Sequence, residues 1–297
     1  MPTPEQQHPA RSDTGPGAAA ESLRLHACGL SEAGQVRAHN EDRFLIDSAL
    51  GLVAVADGMG GHQAGELASS RTLAMLAEAL ADPANAGGPD AAPDPDATEV
   101  DLRLNSTVRL RRAVMHANTL LFQENCARGQ ADGKGMGSTL TGLLFLPALG
   151  AIASFHVGDS RLYRYRDGEL VQLTRDHTAY QLALESGASG VLPPTNLLLQ
   201  AIGPAPDVAP DVACHALHAG DLYLLCSDGL HGWVPHAQMA AALAAAHDLH
   251  EACGGLLDLA RRYASRDNVT ALLVRFAAAP PAERKSDGAA SDRADLA

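Results

Sequence analysis

Between Leu52 and Glu66 the chain runs Leu-Val-Ala-Val-Ala-Asp57-Gly-Met-Gly-Gly-His62-Gln-Ala-Gly-Glu66. Its opening apolar residues read as a buried strand. That strand ends on a carboxylate, Asp57, and Gly58, Gly60 and Gly61 follow before a helix begins. An ionised carboxylate at the end of a buried strand is costly unless a cation or hydrogen-bond donors meet it. Glycine beside it lets the backbone approach whatever the acid holds, so a backbone carbonyl can act as a second oxygen ligand. Hard divalent cations favour that mixture of carboxylate, carbonyl and water. Taken alone, the stretch is better explained as a strand-to-helix turn, with Asp57 as cap and glycine as hinge. The rest of the chain reverses that reading.

The same arrangement recurs. Val157-Gly158-Asp159-Ser160 ends one apolar run and Leu224-Leu-Cys-Ser227-Asp228-Gly229 ends another. Ser265-Arg266-Asp267-Asn268 directly precedes the last apolar run, and Glu41-Asp42 directly precedes the second. Acids thus stand at five separate strand ends. If those ends converge, the carboxylates repel one another unless cations neutralise them. With no His or Cys cluster among them, Mg²⁺ or Mn²⁺ suits the set better than Zn²⁺. An acid shared between two such ions would serve a metal pair that activates water and clamps a phosphoryl group. Arg37, four residues before Glu41, could offer its guanidinium fork to a phosphate.

A net charge of −13 over 297 residues argues against nucleic acid or an anionic membrane as partner. No apolar run approaches the ~20 residues of a membrane span, and no basic-then-apolar leader opens the chain. Five dispersed cysteines without Cys-x-x-Cys spacing point to reduced thiols and a cytoplasmic setting; Cys28, Cys214 and Cys226 read as small core residues. Residues 1–21 and 277–297 read as disordered tails, leaving a folded unit of 22–276. Within it, 82–101 holds six acids, no Lys or Arg, and several Pro and Gly, the composition of a flexible acidic insertion. Arg103, Arg109, Arg111 and Arg112 behind it read as a solvated helix face.

Strands are expected at 23–30, 44–47, 52–56, 138–146, 151–157, 161–166, 170–173, 212–217, 222–226 and 269–276. Helices are expected from Glu66, over 102–128, within 174–187, over 236–246 and over 250–264. Asp167-Gly168 is a two-residue hairpin signal. Strand groups joined by tight turns and interrupted by paired helices do not make a parallel sheet. They fit an α+β fold, a four-layer αββα sandwich of two antiparallel sheets flanked by helices.

Six motifs stand in order: Gly34-x-x-Arg37-x-x-Asn40-Glu41-Asp42; Ala56-Asp57-Gly-Met-Gly-Gly-His62-x-x-Gly65-Glu66-x-Ala68-Ser69; Gly135-Met-Gly-Ser-Thr139; Val157-Gly-Asp159-Ser-Arg161; Leu225-Cys-Ser-Asp228-Gly229-Leu230; and Asp267-Asn268-x-Thr270. Together they resemble the metal-dependent Ser/Thr protein phosphatases of the type 2C class, the PPM family, in their bacterial form. The resemblance covers about Gly29 to Val274. It implies that Asp57 bridges two Mn²⁺ or Mg²⁺ ions, with Gly58 supplying its carbonyl. Asp228 and Asp267 would complete the first metal site. Glu41 would belong to the second and Asp42 would hold a coordinated water. Arg37 would grip the substrate phosphate, and Asp159 would help to hold a third, weaker metal. The implied reaction is hydrolysis of phosphoserine or phosphothreonine by metal-activated water, without a covalent phosphoenzyme. Phosphorylated proteins would be the substrates of a monomeric enzyme, and a Hanks-type Ser/Thr kinase its counterpart.

Met59 stands where some members carry a His, so no general acid is assigned. His62 reads as a helix-start residue, His156 and His177 as strand-end and turn residues, and Ser160 and Ser227 as turn or capping residues. The 177–203 segment corresponds to the family's flap, but Gly190-Val-Leu-Pro-Pro-Thr-Asn196-Leu-Leu-Leu-Gln200-Ala-Ile-Gly203 is apolar and lacks the usual His-Pro and Arg. Two rivals remain. One is a catalytically dead binding or sensing module of the same fold, which would have lost a ligand such as Asp57, Asp228 or Asp267. The other is a stress-signalling phosphatase acting on an anti-anti-sigma protein, a branch that usually lacks the Asn-Glu-Asp run.

Overall fold

A computed structural model describes residues 23–60, 63–82, 98–130, 135–218 and 220–278. The expected tails up to Glu21 and beyond Ala278 lie outside the described residues, as do Gly61, His62 and 83–97 of the acidic insertion. Among the described residues the strands are β1 (Leu23–Glu32), β2 (Asp42–Asp47), β3 (Leu52–Met59), β4 (Gly137–Ser138), β5 (Leu140–Leu146), β6 (Ala151–Val157), β7 (Arg161–Arg166), β8 (Glu169–Gln172), β9 (Asp211–Ala216), β10 (Leu222–Cys226) and β11 (Val269–Ala278). The α-helices among the described residues are α1 (Gln63–Ala81), α2 (Glu99–Ala127), α3 (Ala179–Glu185), α4 (Asp228–His231), α5 (His236–Ala245) and α6 (Leu249–Arg262).

One sheet has the order β1-β11-β10-β7-β8; the other runs β2-β3-β5-β6-β9, with β4 paired to β3. Every named pairing is antiparallel. Central strands β3, β6 and β10 carry near-continuous apolar runs because both of their faces are covered. Val53, Val55, Leu143 and Ile152 of one sheet meet Leu162, Tyr223, Leu225, Leu272, Val274 and Phe276 of the other. The opposite face of the β3 sheet packs on α1 and α2 through Leu73, Leu76, Leu110, Val114 and Leu121. The outer face of the β10 sheet packs on α5 and α6 through Met239, Leu243, Cys253, Leu256 and Leu257. These are the four layers of an αββα sandwich. Asp167 (φ 51°) and Gly168 (φ 84°) form the β7–β8 turn with the left-handed backbone such hairpins require.

Several boundaries differ from the sequence reading. Strand β3 continues past Ala56 to Met59 because Gly58 and Met59 find partners in Ser138 and Gly137. Strand β2 begins at Asp42, which pairs with Asp57. Both acids therefore lie within the ladder and not beyond its end. Helix α2 starts at Glu99, where Thr98 and Asp101 form a capping box, so the last residues assigned to the insertion belong to the helix. The arginines of α2 are not simply solvated: Arg109 donates to the Leu80 carbonyl at the end of α1 and Arg111 to that of Pro210. Cys226 is buried as expected, but Cys28 and Cys214 are only half-buried. No helix among the described residues is long and apolar enough to cross a membrane.

Candidate metal centre

The acids singled out in the sequence gather at one end of the sandwich. Asp42 and Asp57 are direct cross-strand partners and so share a face of the sheet. Asp228 opens α4 immediately after β10, and Asp267 immediately precedes Asn268 and β11. Asp57 feels the charges of Asp42, Asp228, Asp159 and Asp267, four acids from four other places in the chain. Loss of hydration and this crowding push its carboxyl well above the usual carboxylate range. Burial, with the Asp267 charge adding to it, raises Asp228 to about 6. Burial likewise raises Asp159 to about 7, with Asp228 adding to the effect.

Asp42 is 1% exposed. Its Oδ2 accepts from Ser227 Oγ at 2.6 Å and from Thr270 Oγ1 at 2.7 Å. Its Oδ1 is buried with no partner, and so is Oδ1 of Asp228. An orphaned buried carboxylate oxygen forfeits its hydration without return. The donor set around these two atoms is entirely oxygen, which is the preference of Mg²⁺ and Mn²⁺. The residues therefore fit hard divalent cations. Among the described residues no three His, Cys, Asp or Glu side chains are already arranged to hold an ion. Asp267 accepts instead from Arg37 at 2.8 Å.

Close backbone approach explains the glycines. A Cβ at Gly58 would lie 1.9 Å from the Gly65 carbonyl oxygen, and one at Gly229 1.8 Å from that of Asn268. Gly34, with φ of +71°, passes so near Asp267 that a Cβ would sit 2.2 Å from its carbonyl oxygen. The Gly58 amide donates to the Glu41 carbonyl at 3.2 Å, and the Glu41 side chain lies against Gly65. Arg37 is half-exposed and bonded to Asp267, with Glu41 and Asp228 as further charges nearby.

The sequence reading passed over the residues that hold these acids in place. Asn268 Oδ1 accepts from the Glu41 amide at 2.9 Å, and its Nδ2 donates to the carbonyls of Ala33 and His39 at 3.1 and 2.8 Å. Ser227 does more than cap a turn, since it grips Asp42 and accepts from the Thr270 amide. Thr139 Oγ1 accepts from the Asp57 amide and bonds Ser160 Oγ at 2.7 Å. Arg161 forks onto Asp176. His177 exchanges bonds with Gly158, accepting from its amide through Nδ1 while its own amide donates to the Gly158 carbonyl. For Asn268, Ser227, Thr139 and Arg161 the signal was their place inside the six motifs, near the acids; His177 stands outside them and carried no such signal.

The family model for protein phosphatase 2C matches residues 33–260. The serine/threonine protein phosphatase PstP of Mycobacterium tuberculosis is 35% identical over 259 residues, covering 85% of this chain and 45% of that protein. The chain thus spans less than half the length of that relative. The serine/threonine phosphatase stp of Listeria innocua is 32% identical over 258 residues, covering 84% of this chain and 95% of that one. The crystal structure of the PstP catalytic domain, in complex with two manganese ions, superposes with a TM-score of 0.69 at 33% identity, covering 86% and 99% of the two chains. This chain belongs to the protein phosphatase 2C family.

Proposed function

We propose that this protein is a metal-dependent protein phosphatase that hydrolyses phosphoserine and phosphothreonine. The observation that carries the proposal is the pair of buried, partnerless oxygens, Asp42 Oδ1 and Asp228 Oδ1, in a cluster of five aspartates. Asp57, the Gly58 carbonyl, Asp228 and Asp267 would hold one Mn²⁺ or Mg²⁺ ion. Asp57 and Glu41 would hold a second, with Asp42 on a water bound there. Asp159 would contribute to a third. Bound there, the cations neutralise the phosphoryl oxygens and lower the pKa of water toward ~7.

The chain's own residues set the conditions for that chemistry. Ser227 and Thr270 fix Asp42 Oδ2, which leaves Oδ1 buried without a partner. Burial and crowding favour the protonated carboxyls of Asp57 and Asp228, and those protons must leave when a cation enters, so protons and metal compete. Arg37 lies at the rim on Asp267, where its guanidinium can exchange a carboxylate for two phosphate oxygens. All ligands proposed for the first site are present, which argues against a dead binding module, and the Asn40-Glu41-Asp42 run argues against the anti-anti-sigma branch. We read the enzyme as a cytoplasmic monomer that acts on phosphorylated proteins and opposes a Hanks-type Ser/Thr kinase.

Release of phosphate from p-nitrophenyl phosphate and from a phosphothreonine peptide should be abolished by EDTA and restored by Mn²⁺. Asp228→Asn should lose at least about a hundredfold in turnover while keeping its circular dichroism spectrum. Activity indifferent to EDTA would sink the proposal.

A further inference from the structure

Beside the acid cluster lies a cleft of about 330 Å³, lined by Met59, Leu198, Leu199, Pro204, Ala205 and Val208 among others. One of its lining residues, Met59, belongs to the strand that carries Asp57. Met59 is two residues further along β3 and so falls on the same face, about 6–7 Å away. Gly137 lets the cleft form: a Cβ there would lie 2.7 Å from Pro204 Cγ and 2.8 Å from Met59 Cε.

The walls are fixed by hydrogen bonds elsewhere. Ser138 and Ile202 exchange amide-to-carbonyl bonds at 3.0 and 2.8 Å, and the Leu199 amide donates to the His177 carbonyl at 2.8 Å. Asn118 Nδ2 donates to the carbonyls of Ala205 and Pro206. A cleft built this way needs little ordering when it is filled. Leu199 nevertheless leaves about half its surface in water, 53%, an apolar side chain at the mouth without a partner. Polar groups are confined to Asn196, Gln200 and Asp207.

We infer that this cleft receives an apolar side chain of the substrate, two residues from the phosphorylated serine or threonine, and so selects among phosphoproteins. The inference rests on the phosphatase reading of the neighbouring acids. An extended peptide presents alternate side chains on one side at the spacing that separates Asp57 from Met59. With the phosphate at the acids, the side chain two positions away reaches the cleft. A Leu- or Phe-sized group suits the lining, and an acidic one would be stripped of water there beside Asp207.

The test is a set of phosphothreonine peptides carrying Leu, Ser or Asp at each of the two positions on either side, assayed with Mn²⁺ alongside p-nitrophenyl phosphate. Leu two residues away on one side should raise kcat/KM about tenfold or more over Ser, with Asp lower still. Leu199→Asp should erase that preference, and Ala205→Trp, which fills the cleft from its exposed rim, should do the same. Equal kcat/KM across the peptides, or a preference confined to the adjacent positions, would overturn the inference and leave the phosphatase reading standing. Failure to hydrolyse p-nitrophenyl phosphate or any peptide would overturn both.

Discussion

Asn268 joins three backbone groups that are far away in sequence: the carbonyls of Ala33 and His39 and the amide of Glu41. The polar connection carrying Arg37 and Glu41 is thereby tied to the start of β11, next to Asp267. Replacing Asn268 by Ala removes an acceptor and a donor at once. At about 1 kcal/mol for each bond, urea denaturation should show roughly 2–3 kcal/mol lost. Apparent Mn²⁺ affinity should fall by about tenfold to a hundredfold, as when a group supporting a ligand is removed. Asn268→Asp keeps the acceptor for Glu41 and should fall between the two. Unchanged Mn²⁺ dependence in Asn268→Ala would show that this residue supports the fold alone. Its role was not legible in the sequence, because all three partners lie in 33–41. An Asn beside an acid reads there as turn chemistry. The acids were legible, since a carboxylate after an apolar run is anomalous wherever the chain later goes.

At the level of elements, the 177–203 segment is held at its entry. Arg161 on β7 forks onto Asp176, and the His177 amide donates to the Gly158 carbonyl at 2.7 Å. Further on, Ala179 and Leu197 bond through the backbone, so the segment closes on itself around α3. Asp176→Asn should leave Arg161 largely buried without its countercharge, at a cost of roughly 2 kcal/mol, below the fully buried range because Arg161 keeps some solvent contact. Limited proteolysis should then cut within 177–203 well before the sheets yield; equal resistance in both proteins would refute the anchoring role. The sequence reading placed the helices and most strands within a few residues, because apolar periodicity is a local property. It stopped β3 at Ala56 because apolarity ends there, whereas the ladder goes on wherever a partner strand is supplied. It also passed over α4, whose single turn is too short to show a period.

For the whole molecule, the arrangement concentrates like charge where the two sheets meet. Asp228 is raised to about 6 and Asp42 and Asp159 to about 7, so the metal-free fold binds protons that the unfolded chain has already released. Stability therefore falls as pH rises from about 4 to about 7. Without divalent cations, unfolding free energy should drop across that window by at least on the order of 1 kcal/mol. Saturating Mn²⁺ should flatten the slope and raise Tm at pH 7. A slope that Mn²⁺ does not change would count against cation binding at these acids. Which strand ends share one end of the sandwich is a matter of topology, and no single motif carries it. The order of strands carries one more consequence. Strand β11 lies between β1 and β10, and Asp267 and Asn268 lead directly into it. While a ribosome is still working toward residue 278, the emerging polypeptide lacks both the middle of one sheet and an acid of the cluster. On the proposed function, catalytic competence would be withheld until translation of this region is complete, and prematurely terminated products should be inert.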